Sequence, residues 1–362
     1  MRGGGTRRGW QLSTALVAAP VAVLSFFRAV PAAWPTPVVQ LVAFTPWLVF
    51  PAAASLLLAL PSRRSWAVLP AAALLAVQLL WLFPPDRLLD RQGEPRPGQE
   101  DPSQEGLTAE LKIMSLNAWL GQAKAEAVVR LVRENGVGLL ALQELTPALE
   151  QRLDAAGLEA LLPHRITSPR DGAAGSGVYS ARPLHRLDTV EGAAFAIPTL
   201  RLDLNLDLDL NLDRDLNLDL DLDAGGRPAT LAVTNVHVHA PVEGQAALWR
   251  SDLAALGALA ARPGNLLLLG DFNATFDHFE FREFLAGGPA GAVAGGNLVD
   301  AGVAARARLV PTWPKDGQPL PGVVIDHIVT SPQVGTSGYS VQAVPGTDHA
   351  AVLATLSVPA GG

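Results

Sequence analysis

Near the N-terminus, residues 10–27, 38–60 and 66–83 carry no charged side chain, and this constrains the chain more than any other feature. A bilayer core takes about 20 apolar residues of helix. Soluble helices of such length expose a charged face. The spacing therefore predicts an anchor of about three transmembrane helices over 1–83. Pro20, Pro46, Pro51 and Pro70 fit this reading, since neighbouring helices can satisfy the carbonyls that a proline frees in a membrane. A cleaved signal peptide would explain Arg2, Arg7 and Arg8, but not Arg28 and two further apolar stretches.

Basic residues set the expected orientation. Arg2, Arg7 and Arg8 precede the first stretch, Arg63 and Arg64 separate the second from the third, and residues 29–37 carry no charge. The N-terminus and the 61–65 turn are thus expected in the cytoplasm. Everything after residue 83 is then extracellular. Residues 84–108, rich in Pro, Gly, Gln and charge, read as a linker, and 109–360 as a soluble domain that the linker tethers near the membrane.

The chain has no Cys, which excludes disulfides and thiolate metal sites. Its net charge is −7, and the tract 203–223, with eight Asp and Arg214, accounts for all of it. That balance does not suit a non-specific duplex binder. Leu alternates with Asp or Asn through this tract, a strand period, so a hairpin is expected over 200–223 with solvated acidic faces.

In the soluble part, short apolar runs end on polar residues. Leu266 to Leu269 leads into Gly270-Asp271-Phe272-Asn273, and other runs end at Asn117, Glu144 and His237. Asp326-His327 and Asp348-His349 sit beside further runs. Helical spacing at 123–134, 147–156, 245–261 and 279–285 alternates with these strands, predicting an α/β domain with mixed sheets. Strand tips that gather Asn, Glu, Asp and His suit metal-assisted phosphoryl chemistry, where anionic esters need charge neutralisation and in-line attack.

Leu116-Asn117, Gln143-Glu144, the Gly-Ser-Gly-Val-Tyr-Ser-Ala-Arg-Pro run at 175–183, Asn235-Val236-His237, Gly270 to Asn273, Ile325-Asp326-His327 and Thr347-Asp348-His349 follow one another in order. Together they resemble the endonuclease/exonuclease/phosphatase (deoxyribonuclease I-like) superfamily over about 110–358, in a membrane-anchored bacterial form. The resemblance implies a four-layer α-β-β-α sandwich of two mixed β-sheets flanked by helices. It implies a phosphodiesterase or phosphatase, with Mg²⁺ as cofactor and Mn²⁺ or Ca²⁺ as alternatives.

Under this resemblance Glu144, Asn117 and Asp348 hold the metal. Asp271 aims and deprotonates the attacking water. Asn273 and Asn117 bind substrate or that water, and Trp313 lines the mouth. His237 and His349 donate to phosphate oxygens when protonated, and Asp326 orients His349. His239, two residues from His237, is expected to face away. His327 and Arg250 read as structural, and Asp277 and His278 as surface residues. His164 and Arg165 are candidate substrate contacts. Ala350-Ala351 stand where many relatives place a basic residue and Pro, and the tyrosine that abasic-site nucleases use near their phosphate site has no counterpart, so damaged DNA is not the expected substrate. The location points to a lipid-linked or envelope phosphate ester. An extracellular nuclease and a non-catalytic binding domain are the alternatives.

Overall fold

The computed structural model describes residues 3–62, 64–83, 108–190, 195, 197–204, 229–288, 298–315, 317 and 321–360. The linker and most of the Leu/Asp hairpin expected over 200–223 lie outside these residues.

The N-terminal segment expected to be the anchor, and so called below, consists of α1 (Gly3–Ala29), α2 (Thr36–Val42), a 3-10 turn (Thr45–Leu48), α3 (Val49–Ala59) and α4 (Ser65–Leu82). Three segments, Gly9–Ala29, Thr45–Ser62 and Ser65–Leu82, are long and apolar enough to cross a membrane. The second differs from the expected 38–60. Pro46 has no N–H to continue a helix from Val42, whose carbonyl instead accepts a bond from Thr45 Oγ1 at 2.7 Å. The chain bends there, and α2 becomes a separate short helix. Its Val39 is buried with Val236, Val238 and Trp249 of the soluble domain.

That domain follows in order: β1 (Thr108–Asn117), α5 (Ala125–Asn135), β2 (Leu139–Gln143), α6 (Pro147–Ala155), β3 (His164–Ser168), β4 (Ser176–Ser180), β5 (Leu184–Thr189), β6 (Pro198–Leu204) and β7 (Ala229–His237). Then come α7 (Ala246–Gly257), β8 (Leu266–Asp271), α8 (Phe279–Leu285), β9 (Val299–Asp300), α9 (Ala301–Ala304), β10 (Asp326–Thr330), β11 (Gly335–Ala343) and β12 (Ala350–Pro359). Local chemistry sets the helix ends. Thr146 caps α6 by accepting from Leu149 N, with Pro147 in its first turn, and Gly136 ends α5 at φ +62°.

Among the described residues there are two six-stranded sheets, ordered β11-β12-β1-β2-β4-β3 and β5-β6-β7-β8-β10-β9. Each has one parallel pair, β1 with β2 and β7 with β8, and each pair is joined through a helix. Leu111, Ile113, Leu139, Leu231, Leu267 and Leu356 belong to a core between the sheets. A second core joins the outer face of the first sheet to α5 and α6, and a third joins the other sheet to α7 and α8. The result is the expected α-β-β-α sandwich.

Parallel pairing puts the C-terminal ends of β1, β2, β7 and β8 at one end of the sandwich. There Gln143 Nε2 donates to Asn235 Oδ1 at 2.7 Å, pinning one sheet to the other. Gly270, at φ +144°, lets the backbones close in, because a Cβ would lie 2.0 Å from Val236 O.

The anchor docks on this domain rather than merely tethering it. Arg28 of α1 reaches Asp277 at 2.6 Å, and Arg308 reaches the same carboxylate at 2.6 Å. Trp47 Nε1 donates to Gly322 O at 2.7 Å, and Arg308 donates to Trp81 O. Asp277 and His278, expected at the surface, are therefore buried. Burial pushes the Asp277 carboxyl up, but Arg308 and Arg28 outweigh it and hold its pKa below the ordinary value. His278 bonds the Val39 carbonyl at 2.9 Å.

Candidate active site

A cleft of about 550 Å³ opens where the strands end. Asn117 closes β1, Glu144 follows β2, His237 closes β7, Asp271 closes β8, and Asp348 and His349 precede β12. All line the cleft, as do Asn273 and Trp313. Asp326 opens β10, opposite Asp271 in the ladder, and stands behind His349.

Asn117 is the hub. Its Nδ2 donates to Asp271 Oδ2 at 3.0 Å and to Glu144 Oε1 at 3.1 Å, while its Oδ1 accepts from Trp119 N. Glu144 sits at φ +57°, a conformation that non-Gly residues adopt at some cost. Its other oxygen accepts from Leu120 N at 2.6 Å. Asp271 Oδ1 accepts from Asn273 N at 2.8 Å. Asn273, also left-handed at φ +46°, commits its side-chain nitrogen to Val238 O at 3.0 Å, which leaves its amide oxygen for the cleft.

Asp326 holds His349 Nδ1 at 2.9 Å, and His349 Nε2 lies 3.8 Å from Asp271 and 3.9 Å from Asp348. Burial opposes a charge on His349, but Asp326, then Asp271 and Asp348, raise its pKa to about 10. Burial, opposed by His349 and reinforced by Asp326, lifts Asp271 to about 7. Burial and the neighbouring His349 lower His237 to about 4, so this imidazole is neutral at pH 7. The sequence expectation of a protonated His237 does not match this lowered pKa.

The His349 shift gives a pH signature. A pKa raised above its unfolded value stabilises the fold fully below about 6.5, and that stabilisation is lost as pH rises through about 10. Melting curves of wild type and His349→Asn should converge across that window. Parallel curves would remove the imidazolium from the site.

Oxygen donors suited to a hard divalent ion are present. Asp348 Oδ1 is buried with no hydrogen-bond partner, while Oδ2 accepts from Trp313 Nε1 at 2.9 Å. Single ligand atoms of Asp271, Asp326 and His349 also lie within 4.8 Å of one another. His349 Nδ1 is committed to Asp326, which makes this trio a hydrogen-bonded array whatever else it holds. Glu144 and the orphaned Asp348 oxygen fit a cation better.

Several lining residues had no role in the sequence reading. His239 lies past the end of β7, off the strand pleat, and so joins His237 at the cleft. Asp252 holds its Nδ1 at 3.0 Å, and Phe195 stacks on both histidines, 4.1 Å from His239 and 5.1 Å from His237. Gln40, Ala43 and Phe44 come from the anchor. No sequence signal linked them to residues 200 positions later. Conversely, His164 and Arg165 lie on edge strand β3, away from the cleft, with Arg165 paired to Asp154 at 2.6 Å. His327 is structural, bonding Asp300 at 2.7 Å, and Arg250 bonds Glu280 at 3.0 Å.

Two mixed sheets face to face, with carboxylates, amides and imidazoles converging at their strand ends, define a sandwich of the phosphoesterase class. The chain belongs to the Endonuclease/Exonuclease/phosphatase family, whose profile matches residues 114–349. Members are hydrolases of phosphate esters and generally depend on a divalent metal. Similar solved structures include humanised D. rerio TDP2, with 16% identity over 68% of this chain and 98% of that one, TM-score 0.48. A Bacteroides thetaiotaomicron family protein shares 14% identity over 69% and 98% of the two chains, TM-score 0.45. The human Nocturnin catalytic domain shares 16% over 70% and 96%, TM-score 0.44. No curated protein matches the chain significantly.

Proposed function

We propose that the protein is a membrane-anchored, extracytoplasmic, divalent-metal-dependent phosphohydrolase acting on a lipid-linked or envelope phosphate ester. The array Asp271–His349–Asp326 beside Asn117 and Glu144, in a cleft walled partly by the anchor, carries this reading. Asp271 accepts a proton from water and aims it in line with the leaving group. His349, charged and held by Asp326, donates to a phosphate oxygen as negative charge builds. His237 donates a neutral N–H, and the Asn273 amide oxygen orients the water. Glu144, Asp348 and Asn117, directly or through water, would hold Mg²⁺, with Mn²⁺ or Ca²⁺ as alternatives. That ion supplies charge neutralisation and Lewis acidity.

The cleft lining contains no Lys or Arg among the described residues, which disfavours a polyanionic nucleic acid. The basic turn supports this orientation. Arg64 lies between α3 and α4, while the soluble domain docks at the opposite ends of the spans, through Arg28, Trp47 and Trp81.

The test offers full-length protein, with Mg²⁺ or with chelator, phosphatidylglycerol vesicles, plasmid DNA and bis(p-nitrophenyl) phosphate, beside Asp271→Ala. Metal-dependent lipid hydrolysis lost in the variant is the expected result. Cleavage of DNA alone would sink the lipid assignment. No turnover together with no metal-induced rise in melting temperature would leave only a binding domain. A phosphatase reporter fused after residue 108 should be active, and silence would reverse the orientation.

A further inference from the structure

The cleft has two chemically different ends. Asp271, His349, Glu144 and Asp348 form a charged floor, while Ala43 and Phe44 of the anchor, with Val238 and Val242 after β7, form an apolar outer wall. Phe44 directly precedes Thr45, the first residue of the second segment apolar enough to span, so a membrane crossed by that segment would have this wall at its boundary. The wall is fixed in place. Gln40 Nε2 donates to Pro241 O at 3.2 Å, His278 bonds Val39 O, and Trp47 bonds Gly322 O. Val242 and Trp119 on the rim are 41% and 37% exposed.

A soluble phosphate ester gains nothing from an apolar wall at bilayer height. An amphiphile does. Each methylene lifted from lipid into water costs about fourfold in affinity, so a site level with the headgroups lets the hydrocarbon stay behind. We infer that the anchor is part of the active site: its Gln40–Phe44 segment is the substrate-selecting wall. The substrate is an amphiphilic phosphate ester taken directly from the adjoining leaflet, with its phosphate at Asp271 and His349 and its apolar part against Phe44 and Val242. This rests on the phosphohydrolase reading for its chemistry, but not for its geometry.

The chain has no Cys, so single-cysteine probes report cleanly. Full-length Phe44→Cys and Val242→Cys, each carrying an environment-sensitive fluorophore in phosphatidylcholine/phosphatidylglycerol nanodiscs, should be quenched by spin-labelled lipid more than by aqueous iodide. Phe44→Ala should lower the kcat/KM ratio of phosphatidylglycerol to bis(p-nitrophenyl) phosphate by about tenfold. Quenching by iodide alone overturns the inference, as does an unchanged ratio. DNA hydrolysis indifferent to Phe44→Ala, with lipid untouched, overturns it as well. Lipid quenching without hydrolysis of any ester would keep the lipid-facing wall and discard the hydrolase reading.

Discussion

Asp271→Asn should reduce turnover by about 10²–10⁴-fold, the range for loss of a positioned base, and should also change stability in a pH-dependent way. Asp271 is 2% exposed, and its pKa is lifted to about 7, chiefly by burial. A carboxyl raised in the folded state favours folding only while protonated. Its destabilising effect therefore grows as pH rises from about 4 to about 7, then levels off. Asn imitates the protonated form but places an NH₂ opposite the Asn117 amide, which now donates to Asp271 Oδ2 at 3.0 Å. That mismatch is independent of pH, so the informative quantity is the slope. Relative to wild type, the variant should gain stability across that window, and added Mg²⁺ should stabilise wild type more than the variant. A variant that loses ground as pH rises would mean that the carboxylate is held favourably and is not poised as a base.

The site was legible because each member closes or adjoins an apolar run, and strand ends are where a sandwich gathers polar groups. Asn117, Glu144, His237, Asp271, Asn273, Trp313, Asp348 and His349 all reach the cleft. Asp326 lies 2.9 Å from His349, the histidine it is expected to orient. Strand alternation failed for His239, since β7 ends at His237 and the pleat does not continue. Surface placement failed for Asp277 and His278, because polarity in a turn says nothing about a buried partner. The partners are Arg28 and Val39 of the anchor, more than 200 residues earlier. The second span begins at Thr45 rather than Val38, because the chain bends before Pro46 and α2 packs Val39 on the soluble domain. Strands β3, β5 and β11 escaped because their runs are short or partly exposed, whereas β6 covers the start of the strand period expected from residue 200.

Asp277→Ala should be the most destabilising single change at the junction. Asp277 is 1% exposed and bridges Arg28 at 7% and Arg308 at 6%, so its removal leaves two guanidinium groups buried without a counter-charge. Breaking a buried pair in this way costs about 3–5 kcal/mol, or roughly 10 °C in a domain of this size. The cause is unpaired charge and not lost volume, which a second variant separates. Arg28→Leu, Asp277→Leu and Arg308→Met combined remove the carboxylate and both of its guanidinium partners, leaving Arg282 on the Asp277 and Arg28 carbonyls, and such apolar replacements are often neutral or stabilising. Recovery of the melting temperature in the triple variant would establish that mechanism, whereas a further drop would assign the effect to packing around Trp81, over which Arg28 stacks at 4.0 Å. The same comparison reaches function. If Asp277 holds the anchor against the cleft, the single variant should lose lipid turnover more steeply than turnover of a small soluble diester, and the triple variant should regain stability before it regains lipid selectivity.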